Sequence, residues 1–287
     1  PCLPVPLSMH HAKGEPAGQP GQPLPNQVRN LARLGGGEVP GWGGKQPKQL
    51  RSGYLDRWNR LNTPRTRYSM RTAIGARGQA RDGFLFGVDA LRRGSTWMAR
   101  VDSDAPALLE PVREALVGRT VYLGRSRRTE FGEVRVSETA AWRLVGGEAT
   151  GQEVLLLCLS DLCLRDADGQ PTLQVPAARF GLPDGWALDP VRSFLRFRRY
   201  SPFNTYRGRH DLERQVITAG SVLVFRGGQQ ADPEKVKQAL ERGVGEYRQD
   251  GLGQLLTEPE LLAGAELPAV APEIQATEER RENPAVQ

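Results

Sequence analysis

The sequence predicts an α+β protein made of tandem ferredoxin-like (RRM-like) units with Gly-rich loops and long insertions. Two stretches share one order of elements: a hairpin, a helix, a Gly-rich loop and a short strand follow each other at 83–137 and again at 214–257. A hairpin, a helix and a strand in this order form the second half of a βαββαβ unit. The first strand and helix of the first unit would therefore lie upstream of Pro1.

Composition divides the chain into two units and a tail. We expect residues 1–145 to form the first unit, with a flexible insertion at 14–50 and a thumb-like loop at 64–82. The insertion is rich in Gly, Pro and Gln, so it buries too little apolar surface to offset its chain entropy. Residues 146–265 would form the second unit, and 266–287 a disordered tail.

In the first unit, 83–90 and 95–101 have strand composition, and the turn at 91–94 would join them into a hairpin. Apolar residues at helical spacing predict a helix over 107–117, capped by Asp104 and ended by Gly118. A short strand at 133–137 completes the unit.

In the second unit, the apolar run 151–164 predicts a long strand, and 193–200 alternates as a second strand. The segments 214–218 and 221–226 would be strands joined at Ala219-Gly220. Asp232-Pro233 then opens a helix, since Pro is favoured at the first helical position, and a short strand follows at 254–257.

The charge pattern favours an anionic partner. The formal net charge is +6, and arginine supplies 34 of the 39 basic residues. Arginine forks match phosphate geometry and stack on bases. Three cysteines cannot all pair, which indicates a reducing compartment. No apolar run is long enough to cross a membrane, so we expect a cytoplasmic protein without a membrane partner.

The strongest binding candidate is an arginine turn directly before the strand at 133–137. Glycines let a partner approach the main chain closely, and free N–H groups in such turns can bind anions. A solvated basic turn is the alternative. The candidate residues are Gly124, Arg125, Ser126, Arg127, Arg128 and Gly132.

A second basic segment lies at 57–81, which holds seven arginines and no acid. Like charges without a counter-ion repel one another, so an anionic partner is favoured over a solvated surface. Its protruding turn contributes Arg71, Thr72 and Arg77 as candidates.

A third basic segment, 192–209, interleaves six arginines with aromatic residues and has no acid. Such a mixture can hold phosphates and stack on bases, whereas Phe194 and Phe197 could equally face the core. The candidates are Arg196, Arg198, Arg199, Tyr200, Asn204, Tyr206 and Arg207, with Gly251 and Gly253 in the second Gly-rich loop.

Four segments resemble the RAMP superfamily, the RNA-binding subunits of CRISPR effector complexes. They are LGRSRRTEFGEVRV, MRTAIGARGQARDGFLFGVDALRRGSTW, ITAGSVLVF and GLGQLLTEPELL. The similarity extends over residues 68–262 and is greatest to the handle-binding subunit of type III-D complexes. Two positions depart from the family pattern: Gly75 stands where many relatives carry Asp, and Gln254 follows the second Gly loop where relatives often carry a basic residue.

The resemblance implies a non-catalytic subunit of a ribonucleoprotein complex for antiviral defence. It would bind the 5′ handle of CRISPR RNA and cap the backbone filament. Its implied partners are that RNA, the large signature subunit, the adjacent backbone RAMP subunit and, indirectly, target RNA. Within this interpretation Tyr200 and Tyr206 would stack on bases.

Two other functions stay open. A metal-independent CRISPR RNA-processing endoribonuclease would need a general base, for which His210 is a better candidate than His10 or His11. A DNA-binding or ribosomal-type protein would fit the charge alone. We expect no metal and no cofactor, because Asp166-Ala167-Asp168-Gly169 is ordinary turn chemistry and the sequence contains no nucleotide-binding glycine motif.

Overall fold

A computed structural model describes residues 2–35, 37, 39–124, 130–138, 144 and 146–268, and only the backbone of residues 81 and 82. The described chain is mixed α+β, with mostly antiparallel strands and two short helices. It divides into two compact units. We call residues 63–144 the hairpin unit, and residues 2–62 with 146–268 the core unit.

The helices are α1 (Leu109–Leu116) and α2 (Pro233–Glu241), and short 3₁₀ helices lie at Leu31–Arg33, Pro106–Leu108, Ala177–Phe180, Arg248–Asp250 and Glu260–Leu262. The strands are β1 (Leu3–Pro4), β2 (Met9–Ala12), β3 (Arg29–Asn30), β4 (Pro47–Gln49), β5 (Tyr54–Leu55), β6 (Leu61–Asn62), β7 (Thr66–Ile74), β8 (Ala80–Leu91), β9 (Thr120–Tyr122), β10 (Glu133–Arg135), β11 (Glu153–Cys158), β12 (Leu164–Arg165), β13 (Pro171–Thr172), β14 (Ala187–Leu188), β15 (Phe197–Tyr200), β16 (Phe203–Asn204), β17 (Arg209–His210), β18 (Arg214–Ile217), β19 (Val222–Arg226) and β20 (Leu255–Thr257). Within the described residues, no helix is long and apolar enough to cross a membrane.

The core unit is built around β11, the centre of an antiparallel sheet in the order β14-β19-β11-β20. Alternate residues of a strand point to opposite faces. Leu156 therefore joins a cluster with α2 residues Val236 and Leu240, while Leu155 joins a cluster with residues from the N-terminal segment. Both faces of β11 are covered, which explains its continuous apolar sequence.

The N-terminal segment differs from the predicted flexible insertion. Leu24, Val28, Ala32 and Leu50 are buried in the cluster that contains Leu155. Strands β3-β2-β4 and β1-β5-β6 form two small sheets in this region. Composition does not predict this packing, because a few apolar side chains on one side of a turn-rich segment are enough to cover the face of the sheet. Residues 2–62 therefore belong to the core unit and not to the first predicted unit.

The predicted hairpin of 214–218 with 221–226 is wrong. β18 pairs with β15, and β19 pairs with β14 and β11. The Ser221 N–H donates to the Thr218 carbonyl at 3.1 Å, so this turn bends a continuing strand instead of reversing it. Residues 187–226 consequently form one long, bent hairpin that ends at the β16–β17 pair.

The hairpin unit begins with β7 and β8, paired from Thr66↔Leu91 to Ile74↔Ala80 around a turn at 75–79. The expected hairpin across 91–94 is therefore wrong, and most of the thumb-like loop is strand. The predicted helix is present as α1, and β9 pairs with β10. The division into units changes from the hairpin unit to the core unit between residues 144 and 145. The predicted tail lies outside the described residues beyond 268.

Candidate nucleic-acid interface

The net charge of the chain belongs to the hairpin unit. Fifteen of the 39 basic and nine of the 33 acidic residues lie between 63 and 144, which leaves 24 of each in the rest of the chain. The hairpin unit thus carries the whole formal charge of +6. A polyanion would be attracted to this unit first, because long-range attraction follows net charge.

Only the flanks of the predicted arginine turn can be described. Arg125, Ser126, Arg127 and Arg128 lie outside the described residues. Gly132 has φ +83°, and a Cβ there would meet the Leu123 carbonyl oxygen at 2.0 Å, so glycine is required to close the β9–β10 connection. Gly124 has φ +84°, and no atom of the described residues lies within 4 Å of the position that a Cβ would take. Close approach of a ligand is therefore sterically possible at Gly124.

The predicted candidates of the β7–β8 hairpin do not all share one face. Arg71 and Thr72 are neighbours on β7, so their side chains point to opposite faces. The Arg71 guanidinium pairs with Glu130 and lies 5.2 Å from the centre of the Phe131 ring. Arg77 is exposed in the turn. Arg71 is therefore already engaged within its own unit, whereas Arg77 and Thr72 face solvent.

In the core unit, β15 brings three predicted residues together. Arg198 and Tyr200 of β15 share one face with Arg196, which directly precedes the strand, while Arg199 points to the other face. The Arg196 guanidinium donates to the Arg51 carbonyl at 2.9 Å. Tyr200 lies directly opposite Arg214 of β18. The structure therefore arranges a row of cations and one aromatic ring along a single strand face.

This row continues into a stack of alternating cations and rings. The Arg198 guanidinium carbon lies 4.8 Å from the centre of the Tyr200 ring, and that of Arg214 lies 6.0 Å from the same ring. Arg214 also lies 3.7 Å from the centre of the Tyr247 ring. We call Arg198, Tyr200, Arg214 and Tyr247 the arginine–tyrosine stack. Cation–π contacts of this kind hold both partners in place.

Two members of the stack were missed in the sequence. Arg214 begins a strand and Tyr247 follows a helix, and nothing in their local pattern links them. The only signal was that Tyr247 lies in the second Gly-rich loop, six residues before Gly253. Their proximity arises from tertiary structure, because the 243–253 loop folds against β18, where Leu252 packs with Val216.

Arg214 is fixed by its surroundings. Its side chain is 9% exposed and pairs with Asp250 at 2.7 Å. Burial lowers the pKa of Arg214, but the hydrogen bonds to Asp250 and Tyr200 outweigh burial and raise the pKa overall. Its Nε is buried without a hydrogen-bond partner. Arg214 therefore remains charged and holds Tyr247 and Tyr200 on either side.

Gly251 and Gly253 of the second Gly-rich loop differ in whether a side chain would fit at their positions. Gly253 has φ +78°, and a Cβ there would meet the Val244 carbonyl oxygen at 2.0 Å. Gly251 has φ +81° and open space in the Cβ direction. Gly253 is therefore required by packing. Gly251 leaves the main chain accessible next to Asp250, which pairs with Arg214 of the stack.

The tip of the long hairpin presents the remaining candidates. Tyr206 is fully exposed at the end of the hairpin. Asn204 is held in the turn, since its Oδ1 accepts from the Arg207 N–H at 3.0 Å and its Nδ2 donates to Asp211 at 3.2 Å. Arg207 reaches the same carboxylate at 3.4 Å. Tyr206 is therefore fully exposed on a turn that hydrogen bonds hold in place.

The three histidines have different environments. His10 and His11 are buried on β2, and burial lowers the pKa of His10. His210 is exposed, and its Nδ1 lies 2.8 Å from the Ser201 carbonyl oxygen. A carbonyl can only accept, so Nδ1 carries the proton and the basic nitrogen of neutral His210 is Nε2. Among the described residues, no three His, Cys, Asp or Glu side chains come together as a metal-ligand group.

No protein-family model matches this chain, and no curated protein matches it either. The function must therefore be argued from the stack, the Gly-rich loops and the charge distribution.

Proposed function

We propose that this chain is a non-catalytic RNA-binding subunit of a type III CRISPR effector complex. In this role it binds the 5′ handle of CRISPR RNA and caps the backbone filament in antiviral defence. The observation that carries the proposal is the arginine–tyrosine stack beside the accessible main chain of Gly251. The type III-D assignment and the neighbouring subunits rest on the RAMP resemblance, and the cytoplasmic location rests on the three cysteines and the short apolar runs of the sequence.

The strand order of the core unit supports the ferredoxin-like part of the proposal. If β11 is taken as the first strand, the bent hairpin supplies the second and third, and β20 follows α2 as the fourth. The order across the sheet is then fourth, first, third, second, with every neighbouring pair antiparallel. Right-handed βαβ crossovers on either side of a hairpin produce this order. The segment with β12, β13 and the Ala177–Phe180 turn takes the place of the first helix.

The stack has the chemistry that single-stranded RNA requires. Arginine forks bind phosphate oxygens through paired hydrogen bonds, and exposed tyrosine rings stack on bases at about 1–3 kcal/mol per base. Arg198 lies at the exposed end of the stack, with 56% of its side chain accessible, although Asp161 now holds it. RNA phosphate would compete with that carboxylate for Arg198. Tyr206 at the hairpin tip would supply a further stacking surface.

Fluorescence anisotropy with a labelled handle RNA tests the proposal. The double variant Arg198→Ala/Tyr200→Ala should weaken binding about tenfold or more, since it removes one phosphate contact and one stacked base. It should also flatten the slope of log K against log salt by about 0.7, the value for one phosphate of a single strand. Arg242→Ala is the matched control, because Arg242 is exposed at the end of α2. Equal losses in both variants, or equal competition by unrelated duplex DNA, would remove the stack from the site.

A CRISPR RNA-processing endoribonuclease is the second candidate. It is favoured by the exposed His210, whose Nδ1 is held by a carbonyl so that Nε2 can accept a proton. Purified protein incubated with repeat RNA and chelator tests this function. Metal-independent cleavage that stops on His210→Ala would establish the nuclease, and uncleaved RNA with retained binding would support the non-catalytic subunit.

A further inference from the structure

Arg198 is the movable member of the arginine–tyrosine stack. Its side chain is 56% exposed, whereas that of Arg214 is 9% exposed and lies against the Tyr247 ring. Arg196, which precedes β15 on the same face, is half-buried and donates to the Arg51 carbonyl. Exposed side chains change rotamer within nanoseconds, so Arg198 can exchange its partner without disturbing the sheet.

Asp161 holds the guanidinium of Arg198. The Arg198 Nε donates to the Asp161 Oδ2 at 2.9 Å, and Nη2 donates to the same oxygen. The carboxylate itself is fixed, since its side chain is 11% exposed and its Oδ1 accepts from the Ala219 N–H at 3.0 Å. The Asp161 carbonyl also accepts from the Gly253 N–H at 2.8 Å. When this ion pair separates, Arg198 therefore moves and Asp161 stays in place.

In this position Arg198 also covers the Tyr200 ring. The guanidinium carbon lies 4.8 Å from the centre of the ring. A stacked base would contact the ring at about 3.5–4.0 Å, so a base and the guanidinium cannot share that face. This face of Tyr200 is therefore open to a base only after Arg198 has left it.

A phosphate would uncover the ring. Phosphate oxygens compete with the Asp161 carboxylate for the guanidinium fork, and a guanidinium that turns to a phosphate leaves the face of Tyr200. Phosphate binding and base stacking thus require the same displacement of Arg198. Two ligands that favour the same arrangement strengthen each other's binding by the same factor. The contacts therefore predict positive coupling between a phosphate and a base.

We propose that Asp161 and Arg198 form a latch over the Tyr200 ring, which makes phosphate binding and base stacking cooperative. The preferred ligand is then a nucleotide of a single strand, because it offers a phosphate together with an accessible base face. Duplexes keep their bases stacked and bare polyanions have none, so both use the phosphate contact alone. That RNA is the ligand rests on the proposed function, whereas the latch rests on contacts within the core unit.

The contacts that close the latch set the size of the coupling. An exposed ion pair favours its closed state by a factor of about 1.4–5, and an exposed cation–π contact does so by about 2–5. Opening the latch loses both, so the coupling factor should be about threefold or more. Without the Asp161 carboxylate only the ring contact remains, and the factor should fall about twofold or more.

Titration of adenosine with and without inorganic pyrophosphate measures this coupling in the absence of RNA. NMR signals of ring-labelled tyrosines report binding, and Tyr200→Phe identifies the signal of Tyr200. Saturating pyrophosphate should lower the Kd of adenosine about threefold or more in the unmodified chain. Asp161→Asn should bind adenosine more tightly without pyrophosphate and respond less to it. Asn retains the Oδ1 that accepts from the Ala219 N–H.

Glu213→Gln is the matched control. Glu213 pairs with Arg199 at 3.9 Å, and Arg199 points to the other face of β15. The substitution changes the net charge as Asp161→Asn does, but it should keep the full coupling. Arg198→Ala uncovers the ring, so adenosine should bind without any response to pyrophosphate, and this variant tests the latch even if Asp161→Asn fails to fold. Absent coupling in the unmodified chain, or equal coupling in Asp161→Asn, would overturn the latch.

Handle RNA separates the latch from the proposed function. Asp161→Asn should strengthen RNA binding about twofold or more, because the carboxylate no longer competes for Arg198, whereas a merely structural Asp161 would weaken binding when replaced. Arg198→Ala should abolish this gain. Coupling between adenosine and pyrophosphate without affinity for handle RNA would support the latch and refute the proposed function. RNA binding without that coupling would refute the latch alone.

Discussion

The two glycines of the second Gly-rich loop should respond very differently to the same substitution. An alanine at Gly253 would bring its Cβ to 2.0 Å from the Val244 carbonyl oxygen, and an ordinary contact begins at 3.4 Å. The oxygen would have to move by about 1.4 Å, the difference between these two distances. That movement would disturb the 2.8 Å hydrogen bond from the Val244 N–H to the Gly253 carbonyl.

The expected cost follows from these contacts. A left-handed backbone costs an alanine about 1–2 kcal/mol, and each disturbed backbone hydrogen bond adds about 1 kcal/mol. Gly253→Ala should therefore lower the free energy of unfolding by about 2–3 kcal/mol. Gly251→Ala bears only the backbone term, about 1–2 kcal/mol, because its Cβ would meet open space. The two variants form a matched pair two residues apart.

Urea denaturation followed by tryptophan fluorescence measures both costs, since Trp186 is buried in the core unit. The midpoint should fall clearly further for Gly253→Ala than for Gly251→Ala, with similar slopes. Equal midpoints would refute the close contact between Gly253 and Val244 that closes the 243–253 loop, and with it the placement of Tyr247 in the stack.

Three further predictions concern the core unit. Stability should fall as the pH drops below about 6.5, because burial lowers the pKa of His10, so the unfolded chain binds a proton that the folded chain disfavours; His10→Gln should reduce this dependence in urea titrations between pH 7 and pH 5, and an unaltered dependence would contradict the burial of His10. Cys2 should react with a thiol reagent in the native protein, whereas burial raises the pKa of Cys158 to about 12 and should protect it until urea unfolds the chain; rapid native labelling of Cys158 would argue against the position of β11. Leu156→Ala should cost about 2–5 kcal/mol because the side chain is fully buried, while Leu85→Ala, on the exposed hairpin, should cost less than about 0.5 kcal/mol; comparable costs in thermal melts would contradict the uneven burial of the two units.

The sequence predicted elements well where one local signal was strong. The apolar run that contains β11 was recognised as a strand because a strand covered on both faces has no polar alternation. The α2 start was recognised from Asp232-Pro233, and Asp232 does accept hydrogen bonds from the Glu234 and Lys235 N–H groups. Capping is a local property, so it is visible in a few residues.

Pairing partners were predicted poorly because they depend on distant residues. The turns at 75–79 and 91–94 both contain glycine, and the chain reverses at the first. β7 was not recognised as a strand from the sequence. The strand is largely exposed, and Arg67 and Arg71 alternate there with small or apolar residues. The Ala219-Gly220 turn was misassigned for a related reason, because a bend and a reversal share the same turn residues.

Two of the four residues of the arginine–tyrosine stack could be predicted from the sequence. Arg198 and Tyr200 were identified from an arginine-aromatic pattern, which is local. Arg214 and Tyr247 complete the stack from two other elements, and only the fold brings them within 3.7 Å of each other. Arg199 was given the same role as Arg198, yet strand alternation turns it to the opposite face.

The most direct test of the proposed function is to purify the protein from cells that carry a CRISPR array and to sequence the RNA that remains bound. A subunit that binds the 5′ handle should retain short RNA with one uniform 5′ end, and Arg198→Ala/Tyr200→Ala should lose that RNA while Arg242→Ala keeps it. RNA with random ends, or the same yield of RNA from all three proteins, would contradict handle binding by the arginine–tyrosine stack.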